Sequence, residues 1–181
     1  FSLEETQQIR TIFDAHVAGD RNSFTIIAPS AAGGRASWVY DRMIELAVRA
    51  DTEAGWGLLD AALAYPTDEL IYDRFGPAFS DPEFKWHVDA WEEDPRLVSV
   101  VAYLSDADEF EGGTFEMEVP QPDGAVAVET RMFTRCCAVA FPSKRLRHVV
   151  HAVTAGERRS FLLLVGNRKV LQEPSVDFLR R

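Results

Sequence analysis

Hydrophobic residues near the N-terminus recur at the spacing of amphipathic helices. Ser2 and Glu5 have the spacing of a capping box, in which each side chain hydrogen-bonds the backbone of the other residue. Apolar residues follow at helical intervals: Leu3, Ile9, Ile12, Phe13 and Val17. The pattern predicts a helix that ends at Gly19-Asp20, a short strand over 24–28 and a second helix over 36–50. This second helix carries an apolar stripe formed by Trp38, Met43, Ile44, Leu46 and Ala47.

From about Leu70 the pattern changes to short runs rich in β-branched and aromatic residues. These runs cover 70–75, 84–89, 97–104, 114–119, 125–131, 138–141, 148–154 and 158–165. Turn residues separate them: Asp81-Pro82, Gly112-Gly113, Pro120 to Gly124, Pro142-Ser143 and Ala155-Gly156. Many short strands with regular turns are typical of a β-sandwich, barrel or jelly roll. We expect one domain over 1–181, with mostly helical support over 1–66, a β-core over 67–166 and a tail over 167–181.

Composition and charge exclude several classes of partner. The chain has 29 acidic and 19 basic residues and a net charge of −10, which disfavours binding to nucleic acid or to an anionic membrane. Its apolar runs are strand-sized, well short of the roughly 20 residues of a spanning helix. The two cysteines, Cys136 and Cys137, are adjacent and are interpreted as small core residues. With no disulfide framework, a soluble intracellular protein is favoured.

Histidines and one aspartate form the first candidate site. His87 and Asp89 are two residues apart in a strand-like run, where residues i and i+2 face the same side. An imidazole and a carboxylate that converge there supply two ligands of a metal site. The segment from His148 to His151 offers two candidates for the third ligand, and the residues alone leave that choice open.

Two imidazoles and one carboxylate on one face of Fe(II) leave three coordination positions free. A 2-oxo acid fills two of them and O2 the last. If that acid carries a distal carboxylate, a buried arginine suits it because the guanidinium forms two parallel hydrogen bonds. Arg158 lies across the Ala155-Gly156 turn of an apparent hairpin from His148. Its alternative role is a surface charge, although the neighbouring Arg159 fits that description better.

Four ordered motifs add a family resemblance over roughly the last two thirds of the chain. They are His87-Val88-Asp89, Phe110 to Phe115 with its Gly-Gly pair, Ala140-Phe141-Pro142-Ser143, and the series His148, Val150, Val153-Thr154, Gly156, Arg158 and Ser160. Together they resemble the prolyl 4-hydroxylase-like branch of the 2-oxoglutarate/Fe(II) oxygenases. The register of the resemblance selects His148 rather than His151 as the third ligand.

The resemblance implies a mainly β fold with flanking helices. This fold is a double-stranded β-helix, or cupin-like jelly roll, buttressed by the N-terminal helices. It implies an Fe(II)-dependent dioxygenase that takes 2-oxoglutarate and O2 as co-substrates, with ascorbate as a further candidate. Arg158 then binds the distal carboxylate, with help from Ser160. Tyr103 is either a hydroxyl contact to the same carboxylate or a core residue. The retained Asp89 favours hydroxylation over halogenation, with 2-oxoglutarate converted to succinate and CO2.

For the substrate, the sequence indicates only a broad chemical class. The resemblance suggests a prolyl or other amino-acid side chain in a peptide or protein, or a small molecule. Trp91 and Arg96 are candidate substrate contacts because they lie just after the predicted metal strand. The sequence departs from the family pattern at Phe75, at Cys136-Cys137 and at Ala152, where relatives often have Tyr, Gly and Pro.

Two other functions fit the same fold. One is a metal-dependent cupin-like enzyme that does not use 2-oxoglutarate, and the other is a non-catalytic binding module. The acidic runs over 92–94 and 106–109 are interpreted as solvated loops, or as negatively charged segments that attract a cationic substrate. The sequence predicts no oligomeric state.

Overall fold

The computed structural model of the protein describes residues 1–17, 23–77 and 85–168. Helix α1 spans Leu3–Asp14 and begins with the predicted capping box, in which Ser2 accepts from the Glu5 amide and Glu5 from the Ser2 amide. A short helical turn, α2, covers Ala31–Gly34, and helix α3 covers Ser37–Ala54. Both predicted helices are confirmed, whereas the stop at Gly19-Asp20 lies outside the described residues.

Eleven strands in the described residues form the β-core. They are β1 (Ser23–Ile27), β2 (Ala64–Pro66), β3 (Leu70–Phe75), β4 (Val98–Tyr103), β5 (Phe110–Gly112), β6 (Phe115–Pro120), β7 (Val126–Arg131), β8 (Ala138–Pro142), β9 (His148–Val150), β10 (Val153–Gly156) and β11 (Arg158–Asn167). The major sheet has the order β1-β3-β11-β4-β8, with β2 paired to β11. Strands β7-β6-β9 and β10-β5 form two smaller sheets. The predicted jelly roll with N-terminal helices is confirmed.

The central strands of the major sheet are buried on both faces. Strand β11 shows this most clearly, because residues two apart share a face. Phe161, Leu163 and Val165 join the core cluster formed with α1 and α3. On the opposite face, Ser160 and Leu162 line a cavity. The helices therefore cover one side of the sheet and leave the other side for a site.

Three of the predicted strands or connections are wrong. The run over 84–89 is not a strand: Phe84 lies outside the described residues, and His87 makes only an isolated bridge to His148. The run over 148–154 is divided into β9 and β10. The turn at Gly156 does not close a hairpin, because β10 pairs with β5 while β11 pairs with β3 and β4.

Gly156 lets the chain cross from one sheet to the other. Its φ of +74° favours glycine, and a Cβ there would lie 2.0 Å from the carbonyl oxygen of Glu109. The segment over 1–66 was predicted to be mostly helical support. It also contains β1 and β2, which pair with strands of the major sheet. Neither β2 nor β5 is predicted from the sequence, because each has only three residues.

Several surface predictions also need correction. Cys137 is exposed and Cys136 half-buried, with φ of 70°, so the cysteines are not core residues. The acidic runs are solvated in part, because Glu92, Glu93 and Asp108 are exposed. The other three acidic residues form ion pairs: Glu109 with Arg10, Asp106 with Arg135, and Asp94 with Arg96. No helix in the described ranges has the combined length and hydrophobicity that a membrane span needs.

Candidate active site

His87, Asp89 and His148 converge at one end of the cavity. Asp89 Oδ1 lies 3.4 Å from His87 Nε2 and 3.5 Å from His148 Nε2. One ligand atom from each residue lies within 4.8 Å of the other two. Two imidazole nitrogens and one carboxylate oxygen are a donor set that suits Fe(II) with open positions. The described residues thus contain a site that fits the metal predicted from the sequence.

Backbone carbonyls orient both imidazoles. His87 Nδ1 lies 2.7 Å from the carbonyl oxygen of Lys85, and His148 Nδ1 lies 3.2 Å from that of Leu146. A carbonyl only accepts, so each Nδ1 carries a proton and each Nε2 presents its lone pair to the shared centre. The two histidines also exchange backbone hydrogen bonds of 2.9 Å, which place their rings 4.4 Å apart.

Two serines hold Asp89 in place. Ser99 Oγ donates to Asp89 Oδ2 at 2.6 Å and lies 2.8 Å from Ser143 Oγ. The Ser143 carbonyl oxygen also accepts from the amides of Asp89 and Ala90. The segment containing Ser143 therefore anchors the backbone that carries Asp89. This contact gives the Ala140-Phe141-Pro142-Ser143 motif a structural role at the site.

Aromatic packing makes the environment of His148 apolar. Phe115 stacks on its ring at 5.0 Å between centroids, and Phe141 meets it edge-on at 4.9 Å. Burial lowers the pKa of His148, although Asp89 acts in the opposite direction. A neutral imidazole is the form that binds a metal, so this environment favours the ligand state.

Asp89 and His87 stabilise each other's charged forms. In the protein without metal, burial raises the pKa of Asp89. The hydrogen bond from His87 and the charge of His148, each in its protonated form, and the hydrogen bond from Ser99 hold that pKa below its usual value. The hydrogen bond to Asp89 raises the pKa of His87. A buried anion is therefore maintained at the centre, as a divalent cation requires.

The cavity of about 260 Å³ extends from these residues to Arg158. Arg158 is 3% exposed, and its guanidinium lies 5.0 Å from the Tyr103 ring and 5.8 Å from the Phe75 ring. Its hydrogen bond is to Ser160 Oγ at 3.3 Å. Among the described residues, no carboxylate forms an ion pair with this buried cation.

A row of polar side chains crosses three strands beside Arg158. Ser160 on β11 is directly opposite Asp73 on β3 and Tyr103 on β4. Asp73 Oδ1 and the Tyr103 hydroxyl are both buried, and neither has a hydrogen-bond partner among the residues that the structure describes. Unpaired buried polar atoms are costly, so this end of the cavity is suited to a polar ligand.

The other candidate residues lie away from the cavity. His151 is half exposed and lies 3.0 Å from Glu116 rather than at the metal centre. Arg159 meets Glu157 and Asp14. Arg96 pairs with Asp94 and is not among the residues that line the cavity, so its role as a substrate contact stays a prediction. Trp91 is 75% exposed and does not line the cavity.

Sequence reasoning missed Ser99, Phe115 and Asp73. A usable signal was present in two cases, because a polar residue occupies a position between apolar residues on one face of the strand: Ser99 in β4 and Asp73 in β3. Strand alternation places Ser99 on the same face as Tyr103, and Asp73 on the same face as Ile71 and Phe75. Only the packed structure shows that these faces enclose the cavity.

Comparison with known proteins gives one family. The family model of the 2OG-Fe(II) oxygenase superfamily matches residues 75–165. This range contains all three candidate ligands and Arg158. No protein of curated function matches the sequence.

Solved structures of similar fold include two prolyl hydroxylases. A Pseudomonas putida prolyl-4-hydroxylase has a TM-score of 0.65 at 20% identity, covering 93% of this chain and 89% of that protein. A prolyl hydroxylase from Trichoplax adhaerens, in complex with a peptide fragment of the hypoxia inducible factor oxygen degradation domain, has a TM-score of 0.63 at 17% identity, covering 92% and 79%. An oxidoreductase of the 2OG-Fe(II) oxygenase family from Burkholderia pseudomallei has a TM-score of 0.61 at 19% identity, covering 93% and 82%. At these identities the likeness is one of fold.

Proposed function

Because the chain belongs to the 2OG-Fe(II) oxygenase superfamily, we propose that His87, Asp89 and His148 bind Fe(II) and that Arg158 binds the distal carboxylate of 2-oxoglutarate. The superfamily predicted from the motifs is confirmed, and with it the use of Fe(II), 2-oxoglutarate and O2. Ascorbate stays a prediction. In this proposal the enzyme hydroxylates a C–H bond of its substrate.

The observation that carries the proposal is the arrangement of one buried cation at the far end of the metal cavity. The guanidinium of Arg158 has no acidic ion-pair partner among the described residues, and the Tyr103 hydroxyl beside it is unpaired. A dicarboxylic acid that binds the metal at its 2-oxo end supplies a carboxylate at this end. It would accept two hydrogen bonds from Arg158 and one from Tyr103.

Different side chains of the site have different roles in the proposed reaction. Fe(II), when bound, couples decarboxylation of 2-oxoglutarate to succinate and CO2 with transfer of oxygen from O2 to a C–H bond. His87, Asp89 and His148 would hold the metal through one donor atom each, which would leave it room to bind these ligands. Phe115 and Phe141 limit the access of water to the buried imidazole.

A peptide is the substrate class that we propose, with a prolyl or another amino-acid side chain as the reacting group. The Trichoplax adhaerens structure, which is similar in fold, contains a peptide fragment. The cavity is near the lower limit of typical ligand pockets, so a co-substrate and one side chain would largely fill it. The remainder of a peptide would lie on the surface, where Trp91 stays a candidate contact. A small-molecule substrate is the alternative outcome of a substrate screen.

Anaerobic titration of the protein with Fe(II) and 2-oxoglutarate tests the proposed site. We expect the weak visible charge-transfer band of the chelate in the wild-type protein. Arg158→Lys keeps the charge but loses the two-pronged geometry, so the affinity for 2-oxoglutarate should fall at least tenfold. Arg159→Lys is the matched control, because this neighbour lies outside the cavity. Absence of the band and of succinate release in the wild-type protein would contradict the proposal.

A further inference from the structure

We propose that Asp73 is a positioning residue of the co-substrate site, and that its protonated carboxyl group donates a hydrogen bond to the distal carboxylate of 2-oxoglutarate. This inference rests on the proposed function, because it concerns the ligand that Arg158 would bind. It gives a role to a buried acid that the metal centre does not use. It also makes co-substrate binding depend on the uptake of one proton.

The position of Asp73 is set by the strand register. Asp73 lies opposite Ser160, and Ser160 lies opposite Tyr103, so the three side chains cross the sheet in one row. Directly opposite residues on neighbouring antiparallel strands have Cβ atoms roughly 5 Å apart. Ser160 Oγ accepts from Arg158 Nη1 at 3.3 Å and donates to Asp73 Oδ2 at 3.4 Å. Asp73 therefore reaches the same end of the cavity as the guanidinium.

One oxygen of Asp73 makes no hydrogen bond to the described residues, although the side chain lines the cavity. Asp73 is 8% exposed and lines the cavity, yet its Oδ1 has no hydrogen-bond partner within the described ranges. The Tyr103 hydroxyl is also buried and also has no hydrogen-bond partner among the described residues. Two unpaired polar atoms on either side of Ser160 can both donate to one carboxylate, provided that Asp73 carries a proton.

Charge explains why the proton is needed. The groups that face Asp73 are Arg158 and Ser160 from β11, Tyr103 from β4, and Phe24, its register partner on β1. A second carboxylate from the ligand would place two buried anions beside a single cation. Like charges in one buried site share a proton rather than both ionising.

The free protein is already close to this state. Burial raises the pKa of Asp73 to about 7, against the opposing effects of Arg158 and Ser160. Burial also raises the pKa of Tyr103, so its hydroxyl stays protonated near neutral pH and acts as a donor. Both carboxyl groups of 2-oxoglutarate are ionised above pH 6, so Asp73 is the member of the pair that takes the proton.

Calorimetric titration of the Mn(II)-loaded full chain with 2-oxoglutarate tests the inference without turnover. The titration is made between pH 6.5 and 9 in two buffers that differ in ionisation enthalpy. We expect Kd to rise about tenfold per pH unit above the Asp73 pKa, with proton uptake approaching one per ligand bound. Asp73→Asn donates through its amide without a proton, so its Kd should stay flat and its proton uptake should vanish.

A ligand control separates the two ends of the site. 2-Oxopentanoate has the same chelating group but no distal carboxylate, so its binding should lack the proton uptake. A wild-type Kd for 2-oxoglutarate that is independent of pH, with no proton exchange, would overturn the role of Asp73 and leave the proposed function standing. Failure of 2-oxoglutarate to bind at any pH would instead overturn the proposed function. Proton uptake is measured on the wild-type protein, so the test does not depend on the folding of the variant.

Discussion

Ser99 donates a 2.6 Å hydrogen bond to Asp89, on the carboxylate oxygen that is not the one nearest the two imidazoles. Ser99 is fully buried in strand β4, whereas Asp89 lies in an irregular segment after His87. The hydrogen bond therefore connects the least regular part of the candidate metal centre to a strand of the major sheet that is paired on both sides. Groups that orient a metal ligand in this way control metal affinity.

We expect Ser99→Ala to weaken Mn(II) binding about 10- to 100-fold, because Asp89 loses the contact that orients its carboxylate. Competition against a metal-binding dye would measure the change. Ser143→Ala is a graded control, since the Ser143 hydroxyl contacts Ser99 rather than Asp89. Equal metal affinity in the wild-type protein and Ser99→Ala would contradict the role of this hydrogen bond.

The choice of the third metal ligand is tested by two histidine variants. His148→Ala should abolish retention of Fe(II) after anaerobic desalting, because one of three ligands is lost. His151→Ala should retain it, since His151 lies beside Glu116. Iron content per chain, measured by elemental analysis, distinguishes the two. The reverse result would show that His151 is the ligand.

Gly113 is packed against Arg158, and this contact gives a prediction for the opposite end of the cavity. A Cβ at Gly113 would lie 2.9 Å from Arg158 Cδ. We expect Gly113→Ala to displace the guanidinium and to weaken 2-oxoglutarate binding at least tenfold, as measured by calorimetry.

Gly124→Ala is the matched control for Gly113→Ala. Gly124 also has a positive φ, of 84°, but a Cβ there meets no atom of the described residues within 4 Å. Both variants therefore carry backbone strain of about 1 kcal/mol or more, and only one disturbs Arg158. Similar co-substrate affinities for the two variants would show that the Gly113 contact does not position Arg158.

The raised pKa of Asp73 also predicts an unusual pH dependence of stability for the protein without metal or co-substrate. Its pKa is raised from 3.8 to about 7, so the folded state binds more protons than the unfolded state between these values. The free energy of unfolding should therefore fall as pH rises through this window, by up to about 1.4 kcal/mol per pH unit from this group.

Asp73→Asn should remove that fall, so the difference between the two proteins isolates Asp73 from other titrating groups. Urea unfolding followed by tryptophan fluorescence at several pH values would measure it. Parallel curves for the wild-type protein and Asp73→Asn from pH 4 to 8 would contradict the raised pKa.

Local pattern was sufficient for much of the fold. The capping box at Ser2 and Glu5, the helix over α3 and most of the strands are confirmed because each depends on neighbours within a few residues. The pairing of His87 with Asp89 was predicted by assuming a strand, and the two side chains do converge although the segment is not one. The two side chains converge because contacts with distant segments hold both residues: His87 forms its bridge to His148, and the Asp89 amide donates to the Ser143 carbonyl.

Contacts between distant segments were decided by the tertiary structure alone. The alternation of side chains along β3, β4 and β11 shows which residues of a strand share a face. It does not show which strands pair with each other. For that reason the sequence predicted a hairpin at Gly156, where the structure has a crossing between sheets. The contacts of Ser99 with Asp89 and of Asp73 with Ser160 were missed for the same reason.

The sequence by itself thus determined which chemical groups this protein has for a metal and a dicarboxylic acid. Its motifs selected His148, while spacing alone left His151 as an equal candidate. The tertiary structure decided which of these groups meet, because a cavity between packed sheets depends on the order and register of strands that lie far apart in the chain. Burial, and with it the raised pKa of Asp73, exists only once that packing is complete.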